Sequence, residues 1–182
     1  MNHVNELDPR AKRTRQLLAQ SFQDLMTVKE FGSITVQDIA HKATVNRATF
    51  YAHFEDKFAL LDWIIREQFR SRVLIGLDHF APSGESVRHL ISITGEFLAE
   101  FTGQCPKKNR EFHPLVEALI QDELYAYILQ GLPTKRQETA ATMLSWSIFG
   151  AAREWSRSAR TKPVEKTADR AVELLTTGLL RS

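Results

Sequence analysis

Apolar residues recur at helical spacing along most of this chain, and no stretch alternates with the period of two that marks a strand. Leu18, Phe22, Leu25 and Met26 fall at i, i+4, i+7 and i+8 and predict a first helix. Asp8 and Pro9 suit its start, and Gly32 suits the C′ position beyond it. Asp56 reads as the N-cap of a long helix with Phe58, Leu61, Ile65 and Phe69 in one stripe. Leu60 and Ile64 widen that stripe, so this helix is expected to touch two neighbours. The pattern fades from Gly76 to Phe80, and Ala81-Pro82-Ser83-Gly84 is a break and the best linker candidate. Val87, Leu90, Ile91, Thr94, Leu98 and Phe101 carry the next helix; Gly103 and Pro106 close it before a solvated loop, Lys107 to Arg110. Pro114 opens another, with Leu115, Leu119, Leu124 and Ile128. Thr134 and Gln137 make a capping-box pattern ahead of Ala140, Leu144, Ile148, Ala151 and Trp155. Pro163 opens the last helix, with Val164, Ala168, Val172, Leu175 and Leu179. The predicted class is all-α.

Between the first helix and Asp56 the caps are crowded. Thr35 is a good N-cap with Asp38 three residues on, and Ile34 and Ile39 take the N′ and N4 places of a hydrophobic staple. The pattern repeats at Asn46, flanked by Val45 and Phe50. Starts this close leave room for about two turns per helix. Helices that short are unstable alone. Ile39, Ala40, Val45, Phe50 and Phe54 supply a packing face. The arrangement is that of a helix-turn-helix, whose second helix enters the DNA major groove.

Composition changes this picture little. A chain of 182 residues, 43% hydrophobic and 25% charged, can hold one large domain or two small ones. The formal charge is +2, and up to Phe58 eight Lys/Arg stand against seven Asp/Glu, leaving +1. A nucleic-acid argument must therefore rest on where the charges sit. A single cysteine, Cys105, excludes an internal disulfide framework and a Cys-based zinc site. It reads as a core or pocket-lining thiol in a reducing compartment. The polar N-terminus lacks the apolar run of a signal peptide, and Met1 to Asp8 read as a disordered arm. No stretch nears the ~20 apolar residues of a membrane span. A cytoplasmic protein with no membrane partner is expected. No Gly-rich phosphate loop, nucleophile elbow or metal constellation is present, so neither catalysis nor a cofactor is expected. His113 and Glu117, at i and i+4, keep an all-α enzyme open as an alternative.

The run ITVQDIAHKATVNRATFYAHFEDKFALL, Ile34 to Leu61, resembles the helix-turn-helix signature of the TetR family of bacterial transcriptional regulators. Phe50-Tyr51, His53-Phe54 and Lys57 stand in that family's order and spacing. The resemblance implies a DNA-binding domain over residues 1–55 and an all-helical regulatory and dimerisation domain over 56–182. It implies a homodimeric regulator, most simply a repressor released from a palindromic operator by a ligand. A regulator without a small-molecule effector is the alternative. The turn departs from the family's usual Ala-Gly-Val: here it is Ala43-Thr44-Val45. A residue with φ > 0 costs threonine more than glycine. Either the turn takes another geometry or the strain is tolerated. Ala48 stands where the family often has glycine.

With Phe50 and Phe54 marking the buried side of the second short helix, Ala48 and Ala52 face outward. Alanines there fit a close approach to the groove floor and a thymine methyl; they are equally plain helix formers. Arg47 is the cationic side chain able to reach guanine O6 and N7. Asn46, Thr49, Tyr51 and His53, with Thr35, suit phosphate oxygens. From the residues alone His53 reads as a structural histidine beside Phe54, and the resemblance implies a phosphate contact instead. Lys57, at a helix start, reads as a phosphate clamp. Arg10 to Arg15, including Arg13 and Thr14, put positive charge where the helix dipole opposes it, which phosphate would offset. The alternative is a solvated basic turn.

In the C-terminal half, TetR-like proteins dimerise through their last two helices. Leu144, Ser147, Ala151, Leu175 and Leu179 are the expected interface, with Gly150 adding to a small-residue patch. Ordinary intrachain packing would use the same residues. Phe97, Phe101, Cys105, Trp146 and Phe149 are the expected lining for a small apolar or aromatic ligand. His113, Glu117 and Arg153 could orient a polar group or stand in solvent.

Overall fold

The computed structural model of the chain describes residues 8–77, 79–104, 113–132, 137–158 and 163–177, and the side chains of these except 101–104. The described residues form α1 (Pro9–Val28), a 3-10 turn (Phe31–Ser33), α2 (Val36–Lys42), α3 (Arg47–Tyr51), α4 (Lys57–Gly76), α5 (Gly84–Gln104), α6 (His113–Gly131), α7 (Gln137–Arg157) and α8 (Val164–Thr177). No strand occurs among them, so the all-α class holds. The chain divides into two compact units between Ile65 and Arg66, inside α4.

The first unit is built on α1. Asp8 caps it, accepting from the Arg10 amide at 2.9 Å, with Pro9 in the first turn as the sequence predicts. The expected apolar stripe is buried at Leu18 and Phe22, while Leu25 and Met26 are half-buried. The helix ends at Val28, and its cap Lys29 is extended, at φ −120°. Gly32 is therefore not a C′ residue; it lies in the 3-10 turn. Phe31 folds back from that turn edge-on to Phe22, with centroids 6.1 Å apart. Ile34, Ile39, Phe50, Leu60 and Leu61 close the core with no more than 1% exposure. That degree of burial explains how helices of seven and five residues persist.

The second unit holds the rest of α4 and α5 to α8. The 81–84 break lies within this unit, so it is a turn between two packed helices and not a linker between units. Phe69 and Phe97 meet edge-on at 5.5 Å, with Val73, Leu90, Ile120, Leu124 and Ile148 buried as well. Gly131 ends α6 where a Cβ would fall 2.1 Å from the Phe80 carbonyl oxygen, so the close approach requires glycine. The Glu123 side chain is 4% exposed and is held by Arg66 and Arg70 of α4, the latter with a second contact at 2.9 Å. A carboxylate this buried needs such partners. The capping box expected at Thr134, the Lys107 to Arg110 loop and the N-terminal arm lie outside the described residues.

Candidate nucleic-acid interface

A reciprocal capping box at Thr35 and a one-way cap at Asn46 build the helix-turn-helix. The Thr35 hydroxyl accepts from the Asp38 amide at 3.1 Å, and the Asp38 carboxylate accepts from the Thr35 amide at 2.9 Å. Lys29 adds an ion pair to Asp38 at 2.8 Å. These bonds, Lys29 first, hold the Asp38 carboxyl at about 2, below its ordinary 3.8. Lys29 escapes sequence reading because nine positions separate it from Asp38, which fits no helical period.

Asn46 caps α3: its Oδ1 accepts from the Thr49 amide at 2.7 Å and from the Thr49 hydroxyl at 3.0 Å. Between the helices the backbone turns through Thr44 at φ 57°. The turn thus keeps the left-handed geometry that glycine prefers, and the threonine tolerates the strain. Amide bonds from Ala43 to Ile39, Thr44 to His41 and Val45 to Ala40, at 2.9 to 3.1 Å, over-determine it.

Phe50 anchors α3 with no exposed surface. Arg47, Ala48, Tyr51 and Ala52 consequently face outward, and all four are exposed. Arg47 lies along Tyr51, 3.4 Å from the phenol oxygen and 5.8 Å from the ring centroid. The two side chains form one ridge, flanked by alanines that keep the face low. A guanidinium so placed retains N–H groups for a base edge or a phosphate.

The remaining expected DNA contacts fall into two groups. Thr35 and Arg13 are exposed and Thr14 is half-buried, its hydroxyl bonded to the Arg10 carbonyl at 3.0 Å. His53 is half-buried beside Phe54, and its Nδ1 is buried with no hydrogen-bond partner among the described residues. Burial, and then the nearby Arg15 charge, push its pKa down, which favours neutral imidazole. Its surroundings are those of a packed histidine. Lys57 is half-buried at the start of α4. Its ammonium donates to the carbonyls of Phe31, Gly32 and Ile34 at 2.8, 3.1 and 2.8 Å. A lysine has three donors, so the clamp closes on the protein's own backbone.

Elsewhere the structure separates residues expected together. Phe97 is buried against Phe69 and under Arg72, whose guanidinium lies 5.0 Å from its ring. Trp146 is 59% exposed, edge-on to Phe149 at 6.2 Å, so it stands on the outer face of α7. Cys105 and the Phe101 side chain lie outside the described residues. A different recess, of about 350 Å³, opens between α4 and α6, lined by Phe69, Val73, Leu74, Ala126 and Tyr127 with Arg70, Glu123 and Gln130. Of the expected dimer residues, Ser147, Ala151 and Leu175 line an open groove of about 800 Å³ between α7 and α8. Leu144 is half-buried, and Leu179 lies outside the described residues. Met143 and Trp146 extend that outer face, 67% and 59% exposed. Their spacing with Gly150, at i, i+3 and i+7, was the available signal. Glu117 accepts from Arg153 at 3.0 Å, an ion pair that answers the question of what Arg153 orients.

No helix among the described residues is long and apolar enough to cross a membrane. Residues 24–64 match the model of bacterial regulatory proteins, tetR family. Over 72 residues the chain is 32% identical to the HTH-type dhaKLM operon transcriptional activator DhaS of Lactococcus lactis; the match covers 40% of this chain and 38% of that relative. The chain thus spans less than half of that relative's length. In fold it is similar to the dihydroxyacetone kinase operon activator DhaS, with a TM-score of 0.57 at 20% identity over 90% of this chain and 94% of that one. It is also similar to the transcriptional regulator FadR from Bacillus subtilis in complex with stearoyl-CoA, at 0.54 and 17%, over 90% and 98%. Residues 24–64 thus carry the helix-turn-helix segment of bacterial regulatory proteins of the tetR family, and the chain as a whole shares the fold of the solved regulators named above.

Proposed function

We propose that this chain is a sequence-specific transcriptional regulator that binds a roughly palindromic operator as a homodimer and is released by a small ligand. The observation that carries the reading is the Arg47–Tyr51 ridge on the exposed face of a doubly capped helix-turn-helix. A five-residue helix has few base contacts to offer. Two copies on half-sites one or more helical turns apart supply the missing specificity. The apolar outer face of α7 and α8, with Met143, Trp146 and Leu175, supports that pairing. The recess between α4 and α6 falls in the size range of small-molecule sites and supports a ligand. Such a ligand must bind the released state better than the DNA-bound one, since equal affinity shifts nothing.

Selection of bound DNA from a random pool tests the reading. A two-fold-symmetric consensus with salt-sensitive affinity is expected; recovery of no consensus sinks it. A reporter driven from the selected site then fixes the sign. Repression is expected, whereas activation, which the name of DhaS describes for that relative, would overturn repression and leave operator binding standing.

A further inference from the structure

Two arginines converge on one buried carboxylate within the second unit. Glu123 of α6 is 4% exposed and accepts from Arg66 and from Arg70, four residues apart on α4. Arg70 meets it side-on: Nε donates to one carboxylate oxygen and Nη2 to the other, the second at 2.9 Å. A guanidinium carries five N–H groups, and this pairing uses two of them. The edge formed by Nη1 and Nη2 has no further acceptor among the described residues, and the Arg70 side chain is 60% exposed. An edge of that shape matches a second carboxylate, held by two parallel bonds.

Charge and lining point the same way. Arg66 and Arg70 bring two positive charges to one buried negative charge. Asp122 reaches Arg66 at 3.8 Å, but it is 69% exposed and does not line the recess between α4 and α6. Arg70 and Glu123 do line that recess, whose volume is about 350 Å³. Phe69 and Val73 give it a wholly buried apolar wall, and Leu74, Ala126 and Tyr127 extend it. Water finds few hydrogen bonds against such a wall, whereas an apolar body gains contact there. We propose, on the ligand-binding reading above, that this recess takes a monocarboxylate on an apolar body. The carboxylate seats on the Nη1–Nη2 edge of Arg70, and the body lies against Phe69, Val73 and Leu74. Glu123 grips the other edge of Arg70, so the open edge is presented in a fixed direction and less order is lost on binding. A neutral head forfeits the charge-assisted pair. A cationic head meets the Arg70 charge and reaches Glu123 only by displacing an arginine.

Isothermal titration calorimetry on the full chain, without DNA, tests this with octanoate, octan-1-ol and octylamine, which share a body and differ in the head. Octanoate is expected to bind tighter than octan-1-ol by about tenfold or more, the margin of a charge-assisted hydrogen bond. Octylamine is expected to bind more weakly than either. Arg70→Gln should bring octanoate down to the level of octan-1-ol and leave octan-1-ol unchanged. If that variant fails to fold because Glu123 keeps a single arginine, Ala126→Leu places the site instead. It fills the recess without touching the ion pairs and should abolish octanoate binding. Wild-type octanoate affinity in either folded variant overturns the proposal. Equal or tighter binding of the alcohol or the amine overturns the carboxylate and leaves a ligand in the reading above. Binding of none of the three overturns the proposal as well, while operator selection, which uses no ligand, reports separately on DNA recognition.

Discussion

At the scale of single residues, Thr44 is the clearest conflict between local preference and fold. A β-branched residue at φ 57° carries strain that its neighbours' hydrogen bonds hold in place. Thr44 is exposed, so replacing it sacrifices no packing. Thr44→Gly relieves the left-handed penalty and loses part of that gain to the unfolded chain's added freedom. A net stabilisation of about 1 kcal/mol is expected in urea denaturation. A loss of stability would mean that the threonine makes a compensating contact. Asp38 makes the second residue-scale prediction. Its folded pKa of about 2 lies below the ordinary 3.8, so the unfolded chain binds the proton more readily. The contribution is fully present above the ordinary value and is lost as pH falls through about 2. Unfolding midpoints followed between pH 5 and pH 2 should therefore drop in wild type and run flatter in Asp38→Asn.

At the scale of elements, α3 is too short to stand alone, and its orientation is decided by the single buried ring of Phe50. The caps were legible in the sequence because each uses partners three residues apart. Arg47 was legible as the cation at the start of the recognition helix, but its alignment along Tyr51 needed coordinates. Arg47→Ala is expected to cost about 1–3 kcal/mol per half-site and to relax preference at the base it touches. Arg47→Lys should restore little, since lysine lacks the planar fork. Fluorescence anisotropy on the selected operator and its single-base variants checks both. Equal losses on every sequence would move Arg47 from base readout to phosphate binding. Gly32 was read from its place just beyond a helix end, and the 3-10 turn that contains it, Phe31–Ser33, gives it a different role.

At the scale of the whole molecule, the outer face of α7 and α8 carries the assembly prediction. Met143 and Trp146 are large apolar side chains left mostly exposed, at 67% and 59%. Trp146→Glu places a charge on that face. Sedimentation velocity should show a shift from dimer to monomer, and operator affinity should fall with it because the two heads no longer bind together. An unchanged dimer would place the interface elsewhere. The reassignment of Trp146 from pocket lining to outer face shows a limit of periodicity. An aromatic at helical spacing announces that a surface is apolar, but not whether water, a ligand or a second chain meets it.

The sequence by itself determined the all-α class, the helix starts at Pro9, Thr35, Asn46 and Asp56, and the family signature. Each rests on residues within one or two turns of one another, where covalent spacing dictates contact. Tertiary structure decided what distant side chains do. It brought Lys29 to Asp38 and Lys57 to three carbonyls more than twenty residues away. It also made Glu123 a buried partner for two arginines of α4 and turned Trp146 outward. Those outcomes depend on how helices pack, and no pattern along one helix encodes its neighbours.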